Sequence, residues 1–258
     1  MGSCLYYCGI YRRVVRKNME FTGIVDAAQQ KIITKKLYRN MGRYGSEFLR
    51  PSQKLPPYSV EHLDIAQSIN DAGKGSIVVL AHFGNWELLA AIFGTQFHDL
   101  NVLAKPMHNQ IVERWLYSKR TGSHVTPIYT SKAVRSILQV LKRNGMVSML
   151  IDQNPGRNGT PSVFLGKPAN TVRTVAGMLY KMECGIIFAY ALLENNGKYR
   201  IVIEEGPHLD ISRDNQEQFI EAYQRAHNDV LSRWITRYPE HYFGWFHRRF
   251  RGFLSYKS

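Results

Sequence analysis

The segment His82-Phe83-Gly84-Asn85-Trp86-Glu87 places an imidazole and a carboxylate five positions apart. A neutral imidazole can take the proton of a hydroxyl as that oxygen attacks a carbonyl. A carboxylate on the other ring nitrogen fixes the tautomer and stabilises the imidazolium that forms. The apolar run from Ser76 to Ala81, just ahead of His82, predicts a buried strand. Gly84 and Asn85 break it. Trp86 to Ile92 then reads as a helix, with Glu87 in its first turn, where the helix dipole favours the ionised carboxylate. His82 therefore falls at a strand end, the edge at which open α/β sheets place their ligands. The same residues also fit an ordinary helix start, with Asn85 as N-cap, Glu87 as dipole partner and His82 as a satisfied core histidine. Spacing alone leaves both readings open.

Three further groups could contribute. Asp152-Gln153 closes a predicted strand, Met146 to Ile151, ahead of the loop Asn154 to Gly159. In a parallel sheet that end faces the same edge as His82, so Asp152 can orient a substrate hydroxyl or an arginine; a turn-initiating Asp is the plainer role. Lys105-Pro106 follows the predicted strand Asn101 to Ala104, Arg120 closes a helix before Gly122, and Arg173 lies near a helix start after Pro168. Cations at a sheet edge grip phosphates, although most Lys and Arg are simply solvated. The stretch Tyr242 to Arg251 interleaves rings with arginines. It suits a membrane interface, single-stranded nucleic acid, or a C-terminal segment docked on the core. His82, Glu87, His108 and His124 lack metal-ligand spacing and no His-Glu-x-x-His occurs, so no metal is expected.

The elements that must position these groups form an alternation. Strands are predicted at Ile77–Ala81, Asn101–Ala104, Val125–Tyr129, Met146–Ile151, Ile186–Leu192 and Tyr199–Glu204. Helices are predicted at about Val60–Ala72, at Ser131–Arg143 and at Asn215–Tyr238. Residues 12–50 read as basic and helical, ended by Pro51, Pro56 and Pro57. The order implies an α/β fold: one domain with a mostly parallel or mixed central sheet flanked by helices. A basic, membrane-proximal helical segment, 1–72, precedes a domain at 73–258, with no clean structural boundary between them. The 258 residues, 44% hydrophobic, suffice for one sizeable core.

Lys plus Arg number 34 against 20 Asp plus Glu, a formal net charge of +14, which points to a polyanion: nucleic acid, an anionic membrane surface or an acidic carrier protein. Cys4, Cys8 and Cys184 are too few and too scattered for a disulfide framework or a zinc site, which fits a reducing compartment with Cys184 in the core. The apolar stretch Cys4 to Tyr11 is too short to span a bilayer, ends at Arg12-Arg13, and suits an interfacial anchor or the remnant of a longer segment.

Taken together, these blocks resemble the late lipid A acyltransferases, the lauroyl and myristoyl transferases within the lysophospholipid acyltransferase superfamily. His82 to Glu87 resembles the His, four residues, acid signature. Lys105-Pro106 with Asn109 resembles Arg-Pro-x-x-Asn, and Arg120 with Gly122 resembles a looser Arg and Gly block. Asp152-Gln153 and Val163 to Thr171 resemble Asp-Gln and Phe-Phe-Gly-x-Pro-Ala-x-Thr, and Trp245 to Phe250 resembles a closing Trp-x-His-Arg-Arg-Phe. The match spans about residues 12 to 251. The shared order is more specific than any single block, and it favours the catalytic reading of His82.

The resemblance implies acyl transfer from an acyl carrier protein or coenzyme A thioester, with no other cofactor. The acceptor would be a hydroxyl of an anionic lipid A precursor, at the cytoplasmic face of the bacterial inner membrane. His82 would be the base and Glu87 its orienter, with Asn85, Lys105, Arg120, Asp152, Gln153 and Arg173 binding substrate or ordering the site. Backbone amides near Gly84, or an arginine, would face the oxyanion. Nucleic acid is then not expected. Relatives usually begin with a transmembrane helix, which implies either peripheral attachment or a preceding segment. Another glycolipid or a lysophospholipid is the alternative acceptor, and a non-enzymatic basic binding protein the alternative class.

Overall fold

In the computed structural model, which describes residues 2–50, 54–97, 99–129 and 133–256, seven strands form one sheet. They are β1 (Tyr58–Glu61), β2 (Ser76–Leu80), β3 (Leu100–Ala104), β4 (Val125–Tyr129), β5 (Met146–Leu150), β8 (Gly185–Leu193) and β9 (Tyr199–Glu205). Between them in the chain, β6 (Gly159–Phe164) and β7 (Lys167–Val172) pair as a separate antiparallel hairpin. The strand order across the sheet is β1-β9-β8-β2-β5-β3-β4, and every pairing is parallel except β8 with β9. The helices are α1 (Gly2–Tyr7), α2 (Arg12–Thr22), α3 (Gln30–Leu49), α4 (Leu63–Asp71), α5 (Trp86–Phe97), α6 (Gln110–Thr121), α7 (Ala133–Lys142), α8 (Thr174–Lys181) and α9 (Gln216–Arg237).

The fold is α/β with a mixed sheet, and the six expected strands begin and end within one residue of their predicted bounds. The apolar runs explain why. β2 is buried along its whole length, and its side chains alternate between two cores. Ile77 and Val79 enter a core that also holds residues of α7, α8 and α9, while Val78 and Leu80 enter one shared with α4 and α5. A strand covered on both faces must be apolar throughout, which is what made it legible.

Three local features differ from the expectation. The basic helix 12–50 is two helices, because Gly23 adopts a left-handed φ of 68° and caps α2 onto the Met19 carbonyl. The helix expected from Val60 begins only at Leu63, since Tyr58 to Glu61 pairs with β9 as an edge strand. Segments 1–72 and 73–258 therefore share one sheet. The β6–β7 hairpin turns at Leu165-Gly166, both at positive φ, without the Asn-Gly or Asp-Gly signal that would announce it. Pro51 and Ser131, named in the sequence reading, lie outside the described residues. No helix among the described residues is long and apolar enough to cross a membrane.

The core holds two neutral histidines. Burial pushes the pKa of His227 down to about 4, and burial with nearby Arg200 and Lys36 does the same for His241. Unfolding releases both to their ordinary value, so the unfolded chain binds more protons between those limits and stability falls as pH drops from about 6.5 toward 4. The expected loss is up to about 3 kcal/mol per histidine. Thermal melts across that range should show this fall, and His227→Leu should make the pH dependence shallower.

Candidate active site

β2 and β5 run side by side in parallel register, with Leu80 opposite Leu150. Continuing each strand by two residues brings His82 and Asp152 level at the same sheet edge. There His82 Nδ1–H donates to Asp152 Oδ1 at 2.8 Å. This tautomer leaves Nε2 with its lone pair exposed to a proton donor, which is the state a general base requires. The partner is therefore not Glu87, as the spacing suggested. Glu87 leaves the first turn of α5, and its carboxylate is held by Arg120 of α6 through Nη2 at 2.8 Å and Nε at 3.4 Å. It acts on His82 only through space, as a negative charge.

The loop between His82 and α5 is fixed by the rest of the fold. Phe83 bridges Tyr242, Gly84 N–H donates to His241 O, and Asn85 N–H donates to Ala191 O. Gly84 sits at φ 63°, and a Cβ there would lie 2.1 Å from the Ala191 carbonyl oxygen, so the position requires glycine. The amides of Phe83, Gly84 and Asn85 are thus all committed within the protein, which removes them as oxyanion donors. Asn85 itself is buried. Its Oδ1 caps α5 at Leu88 N–H, and its Nδ2 donates to Glu47 and to the Tyr199 hydroxyl.

Gln153 carries the other side of the site. Its Nε2 lies 3.2 Å from His82 Nε2 and 3.2 Å from His247 Nε2, placing one amide between two imidazoles. The tautomers follow from this network: the amide donates one N–H to each bare ring nitrogen. His247 arrives on the C-terminal segment, which is docked on the core rather than laid open, with Trp245, Arg249 and Phe250 buried. Arg249 Nη2 donates to Thr171 Oγ1 at 2.9 Å, its Nη1 reaches the Asn170 and Gln153 carbonyls, and its guanidinium lies over Phe164. His247, Arg249 and Tyr242 were not singled out as site residues. All three lie in the aromatic and basic stretch Tyr242 to Arg251, which was the available signal.

Electrostatics match the geometry. Burial disfavours the imidazolium of His82, but the charge and hydrogen bond of Asp152, with the charge of Glu87, outweigh it and raise its pKa above the ordinary 6.5. Burial would raise the Asp152 carboxyl, yet the His82 charge and hydrogen bonds carry it below its ordinary value. Burial and the neighbouring His82 charge lower His247. Asp152 also pushes up the buried Tyr242 phenol, after burial itself.

Two of the expected substrate contacts lie apart from this cluster. Arg173 forms a two-pronged pair with Glu217 of α9, at 2.6 and 2.7 Å. Lys105 is exposed at the end of β3, and the nearby Asn109 serves as N-cap of α6. A small hollow is lined by Asn85, Glu87, Leu88, Ala91, Arg120 and Val125, among others. A second, open basin is lined by Gln153 and His247, among others. Among the described residues no cluster of His, Cys, Asp and Glu is arranged to hold a metal ion.

A buried carboxylate hydrogen-bonded to an imidazole thus stands at the strand-end edge of a mostly parallel α/β sheet, the edge at which such sheets place their ligands. Residues 7–252 match the family of bacterial lipid A biosynthesis acyltransferases, and the chain belongs to that family. It is therefore an acyltransferase of lipid A biosynthesis, acting on an acyl donor and a lipid acceptor. No curated protein matches the chain.

With His82 as a general base, which works deprotonated, the expected outcome is activity that rises with pH through a pKa above 6.5. Asp152→Asn removes the compensating charge, so the burial penalty dominates and this limb moves to lower pH. Its kcat should fall on the order of 10²–10⁴-fold through loss of tautomer and orientation. A pH–rate profile of both proteins, with imidazole NMR of His82, measures both effects.

Proposed function

We propose that the chain moves a fatty acyl group from an acyl thioester to a hydroxyl of a lipid A precursor, with His82 as general base and Asp152 as its orienter. The observation that carries this reading is the His82–Asp152 hydrogen bond, which leaves Nε2 bare beside the basin that Gln153 lines. The acceptor hydroxyl displaces the Gln153 amide from Nε2 and gives that nitrogen its proton. Its oxygen attacks the thioester carbon, a C–O bond forms, and the carbonyl pair moves onto oxygen. The intermediate collapses, the C–S bond breaks, and the imidazolium returns the proton to sulfur. An ester and a thiol replace an alcohol and a thioester. Gln153, released from His82 and still anchored by His247, supplies an amide N–H to the oxyanion, since the loop amides are engaged elsewhere. The cavity beside the Glu87–Arg120 pair, with Leu88, Ala91 and Val125 in its wall, suits the acyl chain.

Membrane attachment belongs to the same proposal. Tyr7, Ile10, Tyr11 and Ile32 are exposed on the N-terminal helices and their connections. Tyr7 and Ile32 line one hollow with Lys35, Lys36 and Arg39, and a neighbouring hollow carries Arg12, Arg16 and Lys31. Exposed rings and aliphatics among cations suit an anionic bilayer surface, at about 1 kcal/mol per basic residue near it. The protein should float with vesicles containing anionic lipid and be released by salt. The double variant Ile10→Asp/Ile32→Asp should bind them less well, as read by flotation.

The central test is chemical. His82→Ala should fold, by circular dichroism, and lose transfer, while cells carrying it should accumulate a lipid A precursor lacking one acyl chain by mass spectrometry. Full transfer activity in that variant would exclude His82 as the base.

A further inference from the structure

The open basin beside the dyad has a wall chemistry that the acyl-transfer step does not use. Arg157, Arg248 and Arg251 line it together with Gln153, His247 and Asn170, and its lining contains no carboxylate. All three arginines are exposed, and among the described residues none of their guanidinium groups forms an ion pair or a side-chain hydrogen bond. Arg120, Arg143, Arg173 and Arg200, by contrast, each face a carboxylate: Glu87, Asp99, Glu217 and Glu61 respectively.

The backbone that carries these arginines is tied together by hydrogen bonds. Arg248 and Arg251 flank the buried Arg249, whose guanidinium joins the Gln153 loop to β7. Asn154 ties that loop back to the C-terminal segment, donating to the Arg249 and Arg251 carbonyls at 3.1 Å each, while its Oδ1 accepts from Gly156 N–H in the turn that carries Arg157. Three planar forks carried on one hydrogen-bonded stretch of backbone around a common basin suit a multiply charged tetrahedral oxyanion. The basin also shares Gln153 and His247 with the site, so whatever occupies it is adjacent to the reacting hydroxyl.

We propose that this basin is a phosphate subsite: Arg157, Arg248 and Arg251 hold a phosphate group of one of the two substrates and thereby set its reactive end beside His82. The assignment of the phosphate to a substrate rests on the acyl-transfer reading. The anion preference of the basin does not. A phosphate can arrive on the glycolipid acceptor or on a phosphopantetheine arm of the donor, and the chemistry of recognition is shared.

Binding can be followed without turnover through the imidazole NMR signals of His247, which stands in the basin wall. Inorganic phosphate, a sugar 1-phosphate and pantetheine 4′-phosphate are titrated into the full chain, with the free sugar and pantetheine as phosphate-free controls. The expected result is that phosphates move the His247 signals and the controls do not. Each Arg→Gln change should weaken binding about tenfold, and Arg157→Gln/Arg248→Gln/Arg251→Gln should abolish it. Tighter binding of the sugar phosphate assigns the subsite to the acceptor, and tighter binding of the pantetheine phosphate to the donor. His82→Ala should bind the probes as the unaltered chain does, so a failure of the catalytic reading leaves this result standing. Unmoved His247 signals, or equal affinity in the triple variant, would overturn the subsite.

Discussion

The Asp152 carboxylate is fully buried and charged, and much of the molecule is arranged around keeping it so. An isolated carboxylate in that position would take up a proton. His82 supplies a direct hydrogen bond, and an opposing charge once protonated, while Arg249, buried nearby, adds a positive charge. Burial, with the charge and side-chain hydrogen bonding of Asp152, pushes up the pKa of the neighbouring Tyr242 phenol.

Charge balance alone does not hold the C-terminal segment over the dyad. Asn18 of α2 is completely buried and donates from Nδ2 to the Trp245 and His247 carbonyls, at 2.8 Å each, while its Oδ1 accepts from the Tyr256 hydroxyl. Tyr38 of α3 packs edge-on against Phe246, and Tyr44 hydrogen-bonds His241. The basic N-terminal helices are thus a structural clamp on the segment that brings His247 and Arg249 to the site. The same helices carry the exposed rings and cations on their outer side, so one element both positions chemistry and presents a surface.

Glu87 and Arg120 play a different part from the one their spacing suggested. Their side chains are each about one-fifth exposed, and a pair in that setting adds about 0–1 kcal/mol to stability. The pair ties α6, which buries none of its residues, to the first turn of α5. Glu87 also remains a negative charge near His82 and contributes to its raised pKa. The imidazole thus has two acids near it, a hydrogen-bonded carboxylate just beyond the neighbouring strand and a more distant one on the helix.

By itself the sequence determined the fold class, six strands, the long C-terminal helix and the strand-end placement of His82 and Asp152. These are local facts: a doubly buried strand must be apolar for its whole length, and a helix with one packed face must repeat its apolar residues. It also held every residue of the site within short recognisable blocks. Which carboxylate reaches the imidazole was decided only by tertiary structure, because β2 and β5 are 65 or more residues apart in the chain and their register is a property of the sheet. The edge strand β1, the bridging of two imidazoles by Gln153 and the burial of Arg249 were likewise set by packing between distant segments. Spacing along a chain constrains what is near in sequence, whereas a hydrogen bond from one strand end to another depends on strand order and register, which no local pattern encodes.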